Sequence, residues 1–542
     1  MPETHARRED LPRTSLPVWI GAISAAALAA AFLLLPYRTL ITRVILDDAF
    51  YYVRVALNVT AGQGITYDGV TYTNGFHPLW GVLLLLPALS GSDVFTLYAA
   101  LALSAGFVAL GVWSLVVLAR ELSWGPTAAL IAVAVFVFPR VDLYMSLMES
   151  GPSAALLLVG LALGTRYRWL TTESYPQAVA FGLWLATIFL VRLDFAFIVG
   201  TAALAAVFLR FRSGRPIRAW LPPLTVAGLA AALPAAAYLI ANRITFAHFV
   251  PVSGRKKHVF LLDLDDPVGT VLGGVGRMGE KLGLSLTPTL GLVLAGLILV
   301  IVVTVWLRRR VVAELGDRAP RLLAGGMLPV LIVGMVARAI YMRLFVALEA
   351  NTVPWYWVPE YVTIACLAGY AAAVMLARLR IAYSPLPRVA PWILLAVAWP
   401  LGITFVVRDN GFFVQTPPSM VLDAADWARE QERFTRCGFY DSGLFSWASG
   451  IPCVSLNGLI SDEETMLASK DERFDWIMDE HGVDVYVEYC TDDQIERAPP
   501  GGVIWHSEHA ERLRRLDGHS VRLCLFDRSV YDPYRDPHWK RP

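Results

Sequence analysis

Val44-Ile45-Leu46-Asp47-Asp48-Ala49-Phe50-Tyr51-Tyr52 places two adjacent carboxylates directly after the first long apolar run, Leu16 to Pro36. Paired carboxylates at a membrane surface can serve as general base, metal ligand or proton relay. Neighbours on a helix point ~100° apart, so the two acids do not share one task. One faces a substrate while the other caps a helix beginning near Ala49 and Phe50. The plainer alternative is that both acids only cap that helix and favour its dipole.

The surrounding chain is apolar. Of its 542 residues 56% are hydrophobic and 17% charged, and its mean hydropathy is +0.53. An average soluble domain is about 25% charged. The excess apolar residues fall in long runs, which makes this a polytopic α-helical membrane protein. A net charge of +1 argues against nucleic acid as a partner, because that needs a basic face.

Arg7, Arg8 and Arg13 precede the Leu16 run, which is read as an uncleaved first span with a cytoplasmic N-terminus. The run Leu79–Leu89 is too short to span and suits an interfacial helix. With that choice Arg120, Arg166, Arg168, Arg210, Arg212, Arg215, Arg308-Arg309-Arg310, Arg378 and Arg380 all fall on the cytoplasmic side. Further spans are expected at 94–118, 126–139, 150–164, 177–191, 195–210, 219–241, 286–307, 321–341, 356–377 and 389–407, about eleven in all. An odd number puts the C-terminus outside, in a cell (inner or plasma) membrane. Residues 1–407 form the transmembrane domain, with residues 43–92 as its first external loop. Residues 408–542 are polar, alternate short strands with helices, and form a small C-terminal α/β extracytoplasmic domain. Cys437, Cys453, Cys490 and Cys524 all lie in it, so one or two disulfides are expected if it is outside; Cys366 reads as a core thiol.

Other chemistry-bearing residues cluster in the loops assigned to the outside. Thr73-Asn74-Gly75-Phe76-His77-Pro78-Leu79-Trp80 closes the first loop, and His77 precedes a proline suited to a helix start. Met148-Glu149-Ser150-Gly151 supplies an acid at a loop mouth, where the plain reading is solvation or capping. Arg192-Leu193-Asp194 is a tight turn whose ions pair or touch substrate. Pro251-Val252-Ser253-Gly254-Arg255-Lys256-Lys257-His258 is a basic cluster on the side where the charge rule disfavours one; it suits a lipid phosphate, or anionic headgroups in general. Trp355-Tyr356-Trp357 is an interfacial belt, a sugar platform or a prenyl-groove lining, with Arg343 just before it. Tyr440-Asp441-Ser442-Gly443 and Leu456-Asn457-Gly458-Leu459 read as tight turns at strand ends. No dinucleotide or P-loop motif is present.

The Asp47–Tyr52 and Thr73–Trp80 motifs, in this order around the first span, resemble the GT-C superfamily of membrane glycosyltransferases, closest to its prokaryotic protein-mannosyltransferase-like branch. The resemblance implies a polyprenyl-phosphate sugar as donor partner and a glycan, lipid or protein acceptor. It implies Asp47 as the base with Asp48 as its acidic neighbour, and His77 where related transferases have Lys-Pro. It implies donor-phosphate contacts from His77, Arg255, Lys256, Lys257 and Arg343, Lys257 matching the Lys of a Pro-x-Ser-Gly-x-x-Lys loop. Substrate contacts are expected from Tyr51, Asn74, Glu149, Arg192, Asp194, Trp355 and Tyr356. No cofactor is certain; a divalent cation is the one candidate, with Asp48 as its ligand and no clear third ligand. Direct displacement would invert the anomeric carbon. Two competing readings are a lipid-linked substrate transporter or flippase, which predicts internal repeats and mid-membrane charges, and a non-catalytic cell-wall-binding membrane scaffold.

Overall fold

The computed structural model describes residues 16–257, 326–346, 353–379, 389–397, 400, 418–508, 511–512 and 520–536. The N-terminal arginines, His258, the span expected at 286–307, the Arg308–Arg310 cluster, Arg380, and residues 401–407 of the last expected span lie outside these residues. Within them, each expected span contains a helix. These are α1 (Leu16–Ala31), α5 (Asp93–Glu121), α6 (Pro126–Val137), α8 (Ser150–Tyr167), α9 (Tyr175–Val191), α10 (Ala196–Arg212) and α11 (Ile217–Phe246), followed by Met327–Phe345 and Val358–Leu379, and residues 389–397 are helical. Stretches from Leu16–Leu34, Asp93–Glu121, Leu193–Arg212, Ile217–Phe246 and Pro354–Leu376 are long and apolar enough to cross a bilayer. The protein is therefore membrane-embedded.

Lipid tails are as apolar as leucine, so close backbone approach and interhelical hydrogen bonds hold such a bundle together. Gly160 on α8 shows this: a Cβ there would come within 2.0 Å of the Trp184 ring of α9. The Trp184 indole donates to the Leu156 carbonyl at 2.8 Å. Gly182 likewise lets α9 rest on the Ala227 carbonyl of α11. Leu204, Phe208, Leu229 and Ile244 point outward, where acyl chains would cover them.

The two ends of the bundle differ. At one end Arg166 meets Glu121 at 3.9 Å, and buried Arg210 donates to the carbonyls of Leu170 at 2.6 Å and Thr172 at 2.9 Å. The other end carries α2 (Tyr37–Arg43), α3 (Asp47–Thr60), α4 (Pro78–Ala88), α7 (Val141–Met145) and α12 (Val252–Lys257). Helix α4 has 11 residues, ~16 Å of rise against a hydrocarbon core of ~30 Å. Trp80, Leu84 and Ala88 face the core while Val82 and Leu86 face out, as an interfacial helix requires. Between α3 and α4 the chain folds back on itself. The Asn58 amide donates to the Thr66 and Tyr67 carbonyls, and the Asp68 carboxylate accepts from the backbone of Val70 and Thr71.

The tail opens with a helix, Pro418–Glu430. Its sheet contains β1 (Cys437–Phe439), β2 (Cys453–Ser455), β3 (Val485–Cys490), β4 (Val503–His506), β5 (Glu511–Arg512) and β6 (Ser520–Asp527). The order is β2-β1-β3-β6-β4, with β5 paired to β6. β1 runs parallel to β2 and β3, and β6 is antiparallel to β3, β4 and β5. Two disulfides join neighbouring strands: Cys437–Cys453 across a Cα separation of 4.4 Å and Cys490–Cys524 across 6.1 Å. The tail packs directly on α2 and α3. Trp447 lies 5.5 Å from the Phe50 ring, its indole donates to the Tyr37 hydroxyl at 2.8 Å, and Arg54 sits over its face at 4.8 Å.

Candidate active site

Helix α3 begins at Asp47, with Leu46 extended before it, and neither acid caps it. The expected cap of a helix beginning near Ala49 is thus corrected: both acids lie inside the first turn. Asp47 instead caps a helix of the tail, Gly443–Ser449. Its Oδ1 accepts the Leu444 N–H at 2.7 Å, and its Oδ2 accepts the Gly443 N–H at 3.1 Å and the Tyr51 hydroxyl at 3.3 Å. The approach is so close that a Cβ on Gly443 would sit 2.1 Å from the Asp47 carbonyl oxygen. Burial, then the charge of Asp441, raise the Asp47 carboxyl to about 7 against these two N–H groups. Asp48, turned ~100° round α3, belongs to another neighbourhood: its charge helps raise the Lys257 ammonium.

That neighbourhood is a chain of alternating charges. Glu149, 1% exposed, accepts from the Tyr52 hydroxyl at 3.0 Å and pairs with Arg192 at 3.1 Å. The His77 Nε2 lies 3.6 Å from the same carboxylate. Arg192 is fully buried. It pairs with Asp194 at 3.1 Å, donates to the Trp355 carbonyl at 2.5 Å, and lies 4.9 Å from the Tyr356 ring centroid. Arg338 pairs with Asp194 at 2.6 Å, donates to the Tyr356 carbonyl at 2.6 Å and reaches Glu360 at 3.6 Å. Buried ions at membrane depth are stable only when paired in this way. Lys257 donates to the Tyr356 hydroxyl at 2.9 Å. Burial pulls its ammonium down, but Tyr356 and Asp48 hold it above its ordinary value, so it is a full cation at neutral pH. Burial lowers His77 against the pull of Glu149, so it acts as a neutral imidazole; its Nδ1 is buried with no hydrogen-bond partner among the described residues.

The basic cluster is divided between two partners. The Asn74 carboxamide oxygen accepts the Val252 N–H at 2.8 Å and fixes the start of α12. Arg255 pairs with Glu463 at 2.6 Å, and Lys256 donates to Ser469 at 2.8 Å, both on the tail. Burial, then Lys470, push Lys256 down to about 8. Lys257 alone of the three turns to Tyr356.

The structure therefore brings together Asp48, His77, Glu149, Arg192, Asp194, Lys257, Tyr356 and the Trp355 carbonyl. It places Asp47, Tyr51, Arg255 and Lys256 on the tail seam, with Asn74 holding backbone. Arg343 lies on the Met327–Phe345 helix and its side chain is outside the described residues. Tyr52, Arg338 and Glu360 were not anticipated. Arg338 interrupts an apolar span with a charge, a signal that could have marked it. Glu149 is buried at the N-cap position of α8 without a side-chain capping bond, and Arg192–Asp194 is a true pair extended at both ends. Among the described residues no group of three His, Cys, Asp or Glu side chains is placed to hold a metal ion, and the Glu149 carboxylate is already engaged by Tyr52 and Arg192. These residues do not fit a metal site, and no step is routed through one. What the arrangement supplies is a carboxylate and a cation on facing elements, over a buried scaffold that fixes both.

No protein-family model matches the sequence, and no curated protein matches it. Among solved structures, ArnT from Cupriavidus metallidurans, bound to undecaprenyl phosphate, is 13% identical with a TM-score of 0.54 over 96% of this chain and 100% of that one. The archaeal oligosaccharyltransferase AglB from Archaeoglobus fulgidus, in complex with an inhibitory peptide and a dolichol-phosphate, is 14% identical with a TM-score of 0.48 over 87% of this chain and 69% of that one. At such identities the ArnT likeness shows the fold.

Proposed function

We propose that this chain, whose fold is that of the GT-C membrane glycosyltransferases, transfers a sugar from a polyprenyl-phosphate donor to an acceptor outside the cytoplasm, in the making of cell-envelope glycan or glycoprotein. The observation that carries the reading is Lys257. It is the cation that leaves its basic neighbours to stand beside Tyr356, with Asp48 in its field. A lipid phosphate needs such a charge at headgroup depth. The undecaprenyl phosphate of the ArnT structure supports a ligand of that class here.

In the mechanism we infer, the donor phosphate rests against Lys257, with the neutral His77 as a further hydrogen-bond partner. Asp48, rather than Asp47, takes the acceptor proton, because both Asp47 oxygens are committed to the tail helix. The acceptor atom forms its bond to the anomeric carbon from the face opposite the phosphate. The bond from that carbon to the phosphate oxygen breaks, and its electron pair leaves with the lipid phosphate, so the configuration inverts. Glu149, Arg192, Asp194 and Arg338 hold the site and its aromatic wall, Tyr356, in place. The N-terminus lies in the cytoplasm, and the tail, from about residue 408 onward, lies outside as the roof of the site; its two disulfides support an oxidising location.

The test uses purified protein and a polyprenyl-phosphate sugar. Lys257→Ala raises the donor KM by about tenfold, the loss of one charge-assisted contact. An unchanged donor KM contradicts the phosphate assignment.

A further inference from the structure

We propose that Glu463 of the tail domain is a positioning residue for Lys257, so that the tail sets the affinity for the lipid-phosphate donor. The proposal rests on the function proposed above and names a regulator of its phosphate contact.

Glu463 opens the helix Glu463–Lys470, which is itself firmly seated. Asp462 caps it by accepting the Thr465 N–H at 2.8 Å, the Thr465 hydroxyl meets His481 at 2.8 Å, and Ser469 donates to the Leu456 carbonyl at 2.6 Å. From this base Glu463 grips the membrane domain at two points. One oxygen pairs with Arg255 at 2.6 Å, and the other contacts His248. These two residues flank Pro251, where the chain enters α12. Two further bonds come from the same helix: Lys256 donates to Ser469 at 2.8 Å, and Lys470 donates to the Arg255 carbonyl at 2.8 Å. The two residues of α12 immediately before Lys257 are therefore held by the tail, and the Val252 N–H is held by Asn74.

The geometry decides where Lys257 points. Successive residues on a helix turn by ~100°, so anchoring Arg255 and Lys256 to the tail directs Lys257 away from it, toward Tyr356. An ion pair with one partner a third exposed, such as Glu463–Arg255, adds little to folding stability. Its consequence is orientation, and the two effects separate in experiment.

Glu463→Ala, Lys257→Ala and the double variant are compared in the full-length protein, with undecaprenyl phosphate as the binding probe and with donor turnover. Glu463→Ala is expected to weaken probe binding and raise the donor KM by about fivefold to tenfold, with kcat within about twofold and the thermal midpoint unchanged. Added to Lys257→Ala it causes no further loss, because both act through one ammonium group. The charge swap Arg255→Glu with Glu463→Arg restores binding. If Lys257→Ala weakens the probe while Glu463→Ala does not, or if the two losses are fully additive, the positioning role is overturned and the phosphate site stands. If Lys257→Ala leaves the probe unaffected, both fall.

Discussion

Lys256 and Lys257 are adjacent in sequence and opposite in situation, and the same holds for Asp47 and Asp48. One member of each pair is committed to the tail and the other faces the site. For Asp47 this has a consequence in pH. Burial and Asp441 raise its carboxyl to about 7, so between the ordinary carboxylate range and about 7 the folded protein holds a proton that the unfolded chain has lost. The contribution of Asp47 to stability therefore falls as pH rises through that window. Asp47→Asn keeps one acceptor oxygen for this pair of N–H groups and carries no titrating proton. Its thermal midpoint, measured between about pH 5 and 7, should decline less with rising pH than that of the wild type; an identical slope contradicts the assignment. The sequence shows that two acids stand together and that adjacent side chains must diverge. It does not show which one turns inward, because the deciding donors lie 396 and 397 residues away. Arg338 was missed for a similar reason: its partner Asp194 lies 144 residues distant.

At the scale of elements, the site depends on two close approaches between the segment from α3 to α4 and the tail. A Cβ at Gly443 would stand 2.1 Å from the Asp47 carbonyl oxygen, and one at Gly75 would stand 1.9 Å from the Leu459 carbonyl oxygen. Backbone oxygens cannot swing aside as a side chain can, so a larger residue must push the tail off the loop. Gly443→Val should cost about 1–3 kcal/mol at this contact, speed limited proteolysis of the tail and lower transfer at least severalfold; a tail as protected as in the wild type contradicts the packing. The turns at Gly443 and Leu459 were legible as turns. Their role as the docking surface was not, since local sequence does not state what a turn rests on. Helix α4 was legible from length alone, because 11 residues cannot cross a bilayer. Strand β4 is half-buried or exposed, whereas β1 and β2 are buried throughout, so β4 carries a weaker apolar signal.

Over the whole molecule, the loops that the arginine placement assigns to the outside gather at one end of the bundle. The first loop, Glu149, Arg192–Asp194, α12 and Tyr356 meet at one end, while Glu121, Arg166 and Arg210 gather at the other. The fold class and this one-sidedness were readable because hydrophobic length and arginine placement are properties of continuous segments. The tail was readable as a separate composition, but not as a partner of the candidate site, because its grip on Asp47 and α12 exists only in three dimensions. The central claim is that Asp48 is the base and Asp47 a structural anchor. Its most direct test is single-turnover transfer from a polyprenyl-phosphate sugar by purified Asp48→Asn and Asp47→Asn proteins, each shown to bind undecaprenyl phosphate. The account predicts that Asp48→Asn slows transfer by roughly 100-fold or more while Asp47→Asn stays within about tenfold of the wild type, since it removes no group from the reaction. Wild-type transfer by Asp48→Asn, with transfer abolished in Asp47→Asn, would contradict it.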